Sequence, residues 1–165
     1  MNVVEANAAT VGRLLQLITP APDALEQEAV RDAVQAARDQ DLPLMWAVYQ
    51  LGRDEAVFAA EWADVFSLVE QLRMVAANWQ ADVFFGVQEA EDEALVFECD
   101  PRWLLQVAAR ELSGYGLALW RWQGDNPDLC LGFVCREEDG DLLLQCATAL
   151  EARLLRVEDE DWEEA

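Results

Sequence analysis

Histidine and lysine are both missing from this chain, so all 11 of its basic residues are arginine. Without imidazole there is no ordinary Ser-His-Asp or Cys-His relay and no nitrogen ligand of the kind many metal centres use. Without a side-chain amine there is no Schiff base and no Walker-type phosphate loop. Positive charge is scarce in total as well: 33 Asp and Glu stand against those 11 arginines, for a formal charge of −22. Such a field opposes nucleic acid and anionic membrane surfaces, which are held by basic patches. Long uncharged apolar runs are absent, and the opening Met-Asn-Val-Val-Glu-Ala-Asn has no basic region leading into one. Neither a membrane span nor a signal peptide is expected.

Cysteine is sparse and unpatterned. Cys99, Cys130, Cys135 and Cys146 contain no Cys-x-x-Cys pair. Cys130 and Cys135 lie an odd number of residues apart on one expected strand, so they point to opposite faces and cannot share a metal or bridge easily. They read as reduced, buried thiols, which suits a cytoplasmic protein.

What is present is ample material for a core. A hydrophobic fraction of 53% over 165 residues predicts one folded domain over 1–157, followed by an acidic tail over 158–165. The clearest local signals lie between Asp100 and Arg136. Asp100 before Pro101 starts a helix, because the carboxylate can accept from first-turn amides and proline forfeits no hydrogen bond at the first helical position. Leu104, Leu105, Ala108 and Leu112 supply its buried stripe, and Gly114 is expected as the left-handed residue that stops it.

From Gly116 to Gln123 the pattern alternates, Gly124-Asp-Asn-Pro-Asp128 is turn chemistry, and Leu129 to Arg136 forms the returning strand. A turn centred there sets Trp122 opposite Leu129, Trp120 opposite Leu131 and Ala118 opposite Phe133. One face is then bulky, with Trp120, Trp122, Leu129, Leu131 and Phe133. A tryptophan pair can be a stacking platform for bases or sugars, but aliphatic cross-strand neighbours favour a core packed under the 101–113 helix. The other face is lighter, with Leu117, Leu119, Cys130, Gly132 and Val134, and with Arg121 and Arg136 near its ends. Being apolar, it is either covered by another segment or offered to a partner. Leu117, Leu119, Arg121, Val134 and Arg136 are therefore the candidate interaction face.

Elsewhere, residues 4–18 carry an amphipathic pattern stopped at Thr19-Pro20, and Asp23 with Glu26 resembles a capping box opening a second helix that runs to Asp39. These form an N-terminal helical hairpin over 1–41. Leu44–Leu51 reads as a short helix ended at Gly52, and Ala56–Trp62 as a strand. Asp64 caps a helix bearing Val65, Leu68, Val69, Leu72 and Trp79. Val83–Val87 is expected as a short strand before an acidic loop at 89–93. Glu137–Asp141 opens a helix with Leu142, Leu143, Cys146, Ala149 and Leu150 on its apolar side, and Arg153–Val157 is a last short strand. The tail 158–164 should be disordered or ordered only by a partner, because its charges repel. The fold class is α+β: a small, mainly antiparallel sheet centred on the 116–136 hairpin, with helices chiefly on its bulky face.

Carboxylates are the one abundant chemical resource. Glu61 and Asp64 flank Trp62 where a metal-holding pair could sit, but a helix cap explains Asp64 as well. The 89–93 loop and the tail lack the spaced ligands and glycine of an EF-hand. No catalytic, cofactor or metal residue is assigned. Ala60-Glu-Trp-Ala-Asp64 before a helix, Glu111-Leu112, Gly114-Tyr115 and Leu117 before a strand, and Asp125 to Leu131 in the hairpin resemble a bacterial family known as a domain of unknown function. The resemblance spans about 45–157 and implies an α+β fold without an activity. The expected function is a non-enzymatic, cytoplasmic protein-interaction domain with a basic protein partner or a second copy as its target. The alternatives are an immunity- or inhibitor-type protein that blocks a basic toxin or nuclease, and a carboxylate- and metal-dependent hydrolase.

Overall fold

A computed structural model of the chain describes residues 2–20, 26–53, 55–87 and 93–160. Its helices are α1 Val3–Leu17, α2 Gln27–Asp39, α3 Met45–Gly52, α4 Val65–Asn78, α5 Glu93–Val96, α6 Pro101–Ser113 and α7 Gly140–Ala149. Its strands are β1 Val57–Glu61, β2 Leu117–Trp122, β3 Leu129–Arg136 and β4 Leu154–Arg156. The four strands form one antiparallel sheet in the order β1-β3-β2-β4. The class is α+β, with the β2–β3 hairpin at the centre of the sheet.

Helix starts follow local chemistry. The Asp100 carboxylate accepts from the Arg102 amide at 2.8 Å, and that of Asp64 accepts from the Ser67 amide at 3.0 Å. Each satisfies a first-turn N–H that would otherwise lack a partner. α2 departs from expectation: it begins at Gln27, with Glu26 at the cap position and no side-chain cap bond. Asp23 and Leu25 lie outside the described residues. The left-handed residue after α6 is Gly116, with φ of 74°, whereas Gly114 stays right-handed with φ of −64°. Two overlapping turns, closed by the Tyr115 amide on Leu112 and the Gly116 amide on Ser113, separate helix from strand, and the positive φ falls at the second glycine.

The hairpin keeps its faces but not its register. Trp122 pairs with Leu131, Trp120 with Phe133 and Ala118 with Cys135, a shift of two residues. Leu129 and Cys130 instead pair with Glu61 and Ala60 of β1. The loop is wider than a centred tight turn, because the Leu129 amide bonds back to the Asn126 carbonyl and the Gln123 amide turns to Arg153 of the β4 side. A shift of two preserves the side-chain parity, so every residue stays on its expected face.

Helices cover both faces rather than chiefly one. On the tryptophan face, Trp120, Trp122, Leu131 and Phe133 join one buried cluster with side chains of α1, α2, α3 and α7. The lighter face, with Leu117, Leu119, Cys130 and Val134, joins a second cluster with α4 and α6. The 101–113 helix thus packs on the light face, not under the tryptophans. The Gly132 position there lets the Phe58 ring approach closely, and on the other face Trp122 packs on α3, whose Trp46 and Tyr49 rings lie 5.1 and 5.4 Å from it.

Several smaller departures from expectation have local causes. Val83–Val87 forms no strand: Phe85 and Gly86 are left-handed, and the Phe84 and Phe85 amides donate to the two Glu111 carboxylate oxygens at 3.1 and 2.9 Å. Those bonds replace a strand partner. On α7 the buried side is Leu143, Cys146, Ala147 and Leu150, while Ala149 is exposed and Leu142 partly so. The start of the tail is ordered, with a 3-10 turn over Val157–Asp159 and the Glu160 carboxylate seated on Arg121 at 2.6 Å. Residues 161–165 lie outside the described part, as do 88–92 of the acidic loop; Glu93, at the loop's end, pairs with Arg73 at 2.6 Å.

Candidate functional site

The five residues singled out on the hairpin do not make one surface. Leu117, Leu119 and Val134 are only 5%, 1% and 1% exposed, closed over by α4 and α6. Arg121 is half-buried: its guanidinium donates to Glu160 Oε1 at 2.6 Å and stands 5.7 Å from the centre of the Trp62 ring. Arg136 is exposed, stands 5.1 Å from the centre of the Trp79 ring, and donates to the Pro20 carbonyl at 3.4 Å. Of the two alternatives for the light face, covered or offered, the folded chain shows the covered one.

Each arginine instead marks a cleft at its own end of the sheet. Arg136 lies in a cleft of about 1000 Å³ with Asn78, Trp79, Tyr115 and Glu137. Asn78 Nδ2 and Trp79 Nε1 are buried there without an acceptor among the described residues. Arg121 lies in a cleft of about 1040 Å³ at the hairpin-loop end. Its walls are the end of β1 (Glu61, Trp62, Ala63), the lead-in to α6 (Glu98 to Arg102) and the hairpin loop (Gln123 to Leu129).

Backbone bonds fix these three segments against one another. The Trp62 amide donates to the Asp128 carbonyl at 2.9 Å, tying β1 to the loop, and the Asp128 amide donates to Asn126 Oδ1 at 3.0 Å inside the loop. Asp100 is held by its capping bond. Glu61, Glu98, Asp100, Asp125 and Asp128 are all exposed around the cleft. Arg102 and Arg121 are its only bases among the described residues, and Arg121 is matched internally by Glu160. The balance of charge presented to a visitor is negative.

The residue-level signals differ in how visible they were. Glu61 and Asp64 drew attention as an acidic pair, and both are where the strand-to-helix junction was expected, with Asp64 acting as a cap. Phe66 and Phe97 were missed. Their rings lie 5.3 Å apart, and Phe66 is 61% exposed. A signal existed for Phe66: it falls off the buried stripe of Leu68, Val69, Leu72, Val75 and Ala76 on α4.

The family model described as a domain of unknown function, DUF6630, matches residues 10–158. The chain belongs to that family. The match takes in α2 and most of α1, so the N-terminal helical pair is part of the DUF6630 unit and not an appendage to it. That agrees with the packing, since Val11, Leu14 and Leu15 of α1 are buried in the same cluster as Trp120. No curated protein and no solved structure matches the chain.

Within this DUF6630 chain Cys130, Cys135 and Tyr49 are buried, whereas Cys99 is half-buried at the hairpin-loop cleft. Burial pushes the Cys130 and Cys135 thiols up to about 12 and the Tyr49 hydroxyl well above its ordinary value. Cys130 lies in the light-face layer and Cys135 in the tryptophan-face layer, as their odd spacing requires. Among the described residues no three or more Cys, Asp or Glu converge as a metal site needs, and no helix is long and apolar enough to cross a membrane.

Proposed function

We propose that this DUF6630 domain is a non-enzymatic, cytoplasmic interaction module that binds a basic protein through its carboxylate surface. The observation that carries the reading is the hairpin-loop cleft. There Glu61, Glu98, Asp100, Asp125 and Asp128 face solvent, while the central arginine is already matched by Glu160 from within the chain. A surface of that sign accelerates encounter with a positive partner and disfavours acidic ones. The cytoplasmic assignment is supported by Cys99, Cys130, Cys135 and Cys146, all of which are free thiols.

The test is a salt titration. Binding of a basic protein, followed by calorimetry, should weaken by at least about tenfold between low and high salt, because exposed charges are screened beyond about 8 Å at physiological ionic strength. Binding that is unchanged at high salt, or no binding at low salt, would overturn the proposal.

A further inference from the structure

The same end of the molecule carries an apolar patch that electrostatics alone does not explain. Phe66 is 61% exposed and Leu95 56% exposed. The Phe66 and Phe97 rings meet at 5.3 Å with a 34° tilt. Phe66 lies three residues beyond Ala63, and Phe97 directly precedes Glu98; Ala63 and Glu98 both line the acidic cleft. The ring pair therefore bridges two of the three cleft walls. An apolar centre with a charged margin is the anatomy of a protein-recognition surface, in which a few aromatic residues supply most of the binding energy.

Resting on the interaction reading above, we propose that Phe66 and Phe97 anchor a basic, amphipathic segment of a partner protein. An apolar side chain of that segment covers the ring pair, and its arginines or lysines lie in the cleft against Glu61, Glu98 and Asp100. Charge decides between occupants. A second copy would bring another chain of net charge −22 against the cleft, and like charges brought together oppose association. A basic segment satisfies both the apolar patch and the acids.

The probes are two synthetic peptides of equal positive charge, an amphipathic one of arginine and leucine and an oligo-arginine, titrated against the full chain at low salt. The amphipathic peptide should bind about tenfold more tightly, a difference of about 1.4 kcal/mol. Phe66→Ser should abolish that preference while leaving oligo-arginine binding unchanged. The Phe66 side chain is largely exposed, so the melting curve should match that of the parent. Paired Glu61→Gln and Glu98→Gln should weaken both peptides together. Equal binding of the two peptides, or a preference that survives Phe66→Ser, overturns the anchor but leaves the acidic-module reading standing. If neither peptide binds, both fall.

Discussion

The two faces of the sheet are buried by different means. The tryptophan face is closed by aromatic bulk: Trp120, Trp122 and Phe133 share one buried cluster with Tyr49, and the Trp46 and Tyr49 rings pack on Trp122. The light face is closed by close approach. Its centre is Gly132, over which the Phe58 ring of the neighbouring strand lies, and one of its ends is sealed by the Arg121–Glu160 pair. A face built from large rings is vulnerable to cavities. One built from a glycine and an ion pair is vulnerable to added volume and to lost charge.

The largest break follows from that glycine. A Cβ on residue 132 would meet the Trp120 carbonyl oxygen at 2.3 Å and Phe58 Cζ at 2.5 Å. The first contact is with backbone and cannot be relieved by a rotamer change. Gly132→Val should cost at least about 4 kcal/mol, among the largest single-residue effects, and show no cooperative thermal transition. A normal melt would refute the thin-centre account of the light face.

Alkali probes both faces at once. Cys130 lies in one layer and Cys135 in the other, and both folded values stand at about 12 against an ordinary 9.0 because burial disfavours the thiolate. The unfolded chain therefore releases these protons first. The stabilisation is complete below about pH 9 and is lost as pH rises toward 12, on the order of a few kcal/mol by about pH 11. Urea unfolding across that window should show a falling midpoint. Replacing both cysteines by alanine should flatten the fall, leaving the parts due to Cys146 and Tyr49, which burial also raises. A midpoint that stays level in the parent would contradict burial of these thiols.

Glu160→Gln separates the faces. The two partners are only 14% and 11% exposed as side chains, so removing one charge weakens the charge-assisted bonds between the Glu160 carboxylate and the Arg121 guanidinium. A loss of about 2 kcal/mol is expected, in the range for hydrogen bonds to charged groups. Amide exchange should rise in β2, β4 and the 3-10 turn before it rises in α1 or α3. Uniform exchange across both layers would mean that the pair seals nothing.

Legibility in the sequence followed distance along the chain. The Asp64 and Asp100 caps depend on atoms two or three residues away, and both are found where their spacing placed them. Face parity along β2 and β3 is equally local. Register was not, because it follows from the width of the hairpin loop, and there the Gln123 amide turns to the Arg153 carbonyl, about thirty residues later by sequence number. The stripe of α6 announced a buried side but could not say which face would bury it. The site divides likewise: the Glu61–Asp64 junction was visible, whereas Phe66 meets Phe97 only once α4 and the lead-in to α6 are folded together.

The smallest effect concerns the edge the two faces share. β1 is an edge strand, and the Ala59 amide, which points away from β3, donates to Gln71 Oε1 of α4 at 2.7 Å; Gln71 Nε2 in turn reaches Ser67 Oγ at 3.4 Å. The light-face helix thus plugs an edge whose other side opens onto a shallow cleft lined by Leu42, Trp46 and Tyr49. An open edge invites pairing with another chain, which proteins commonly block with a side chain or a covering segment. Gln71→Ala should cost about 1 kcal/mol, or about 2–4 °C in melting temperature for a domain of this size, and raise light scattering with concentration. Gln71→Glu keeps an acceptor and should recover most of the loss. If alanine melts as the parent does, water serves the Ala59 amide equally well, and α4 protects the edge only by occupying space beside it.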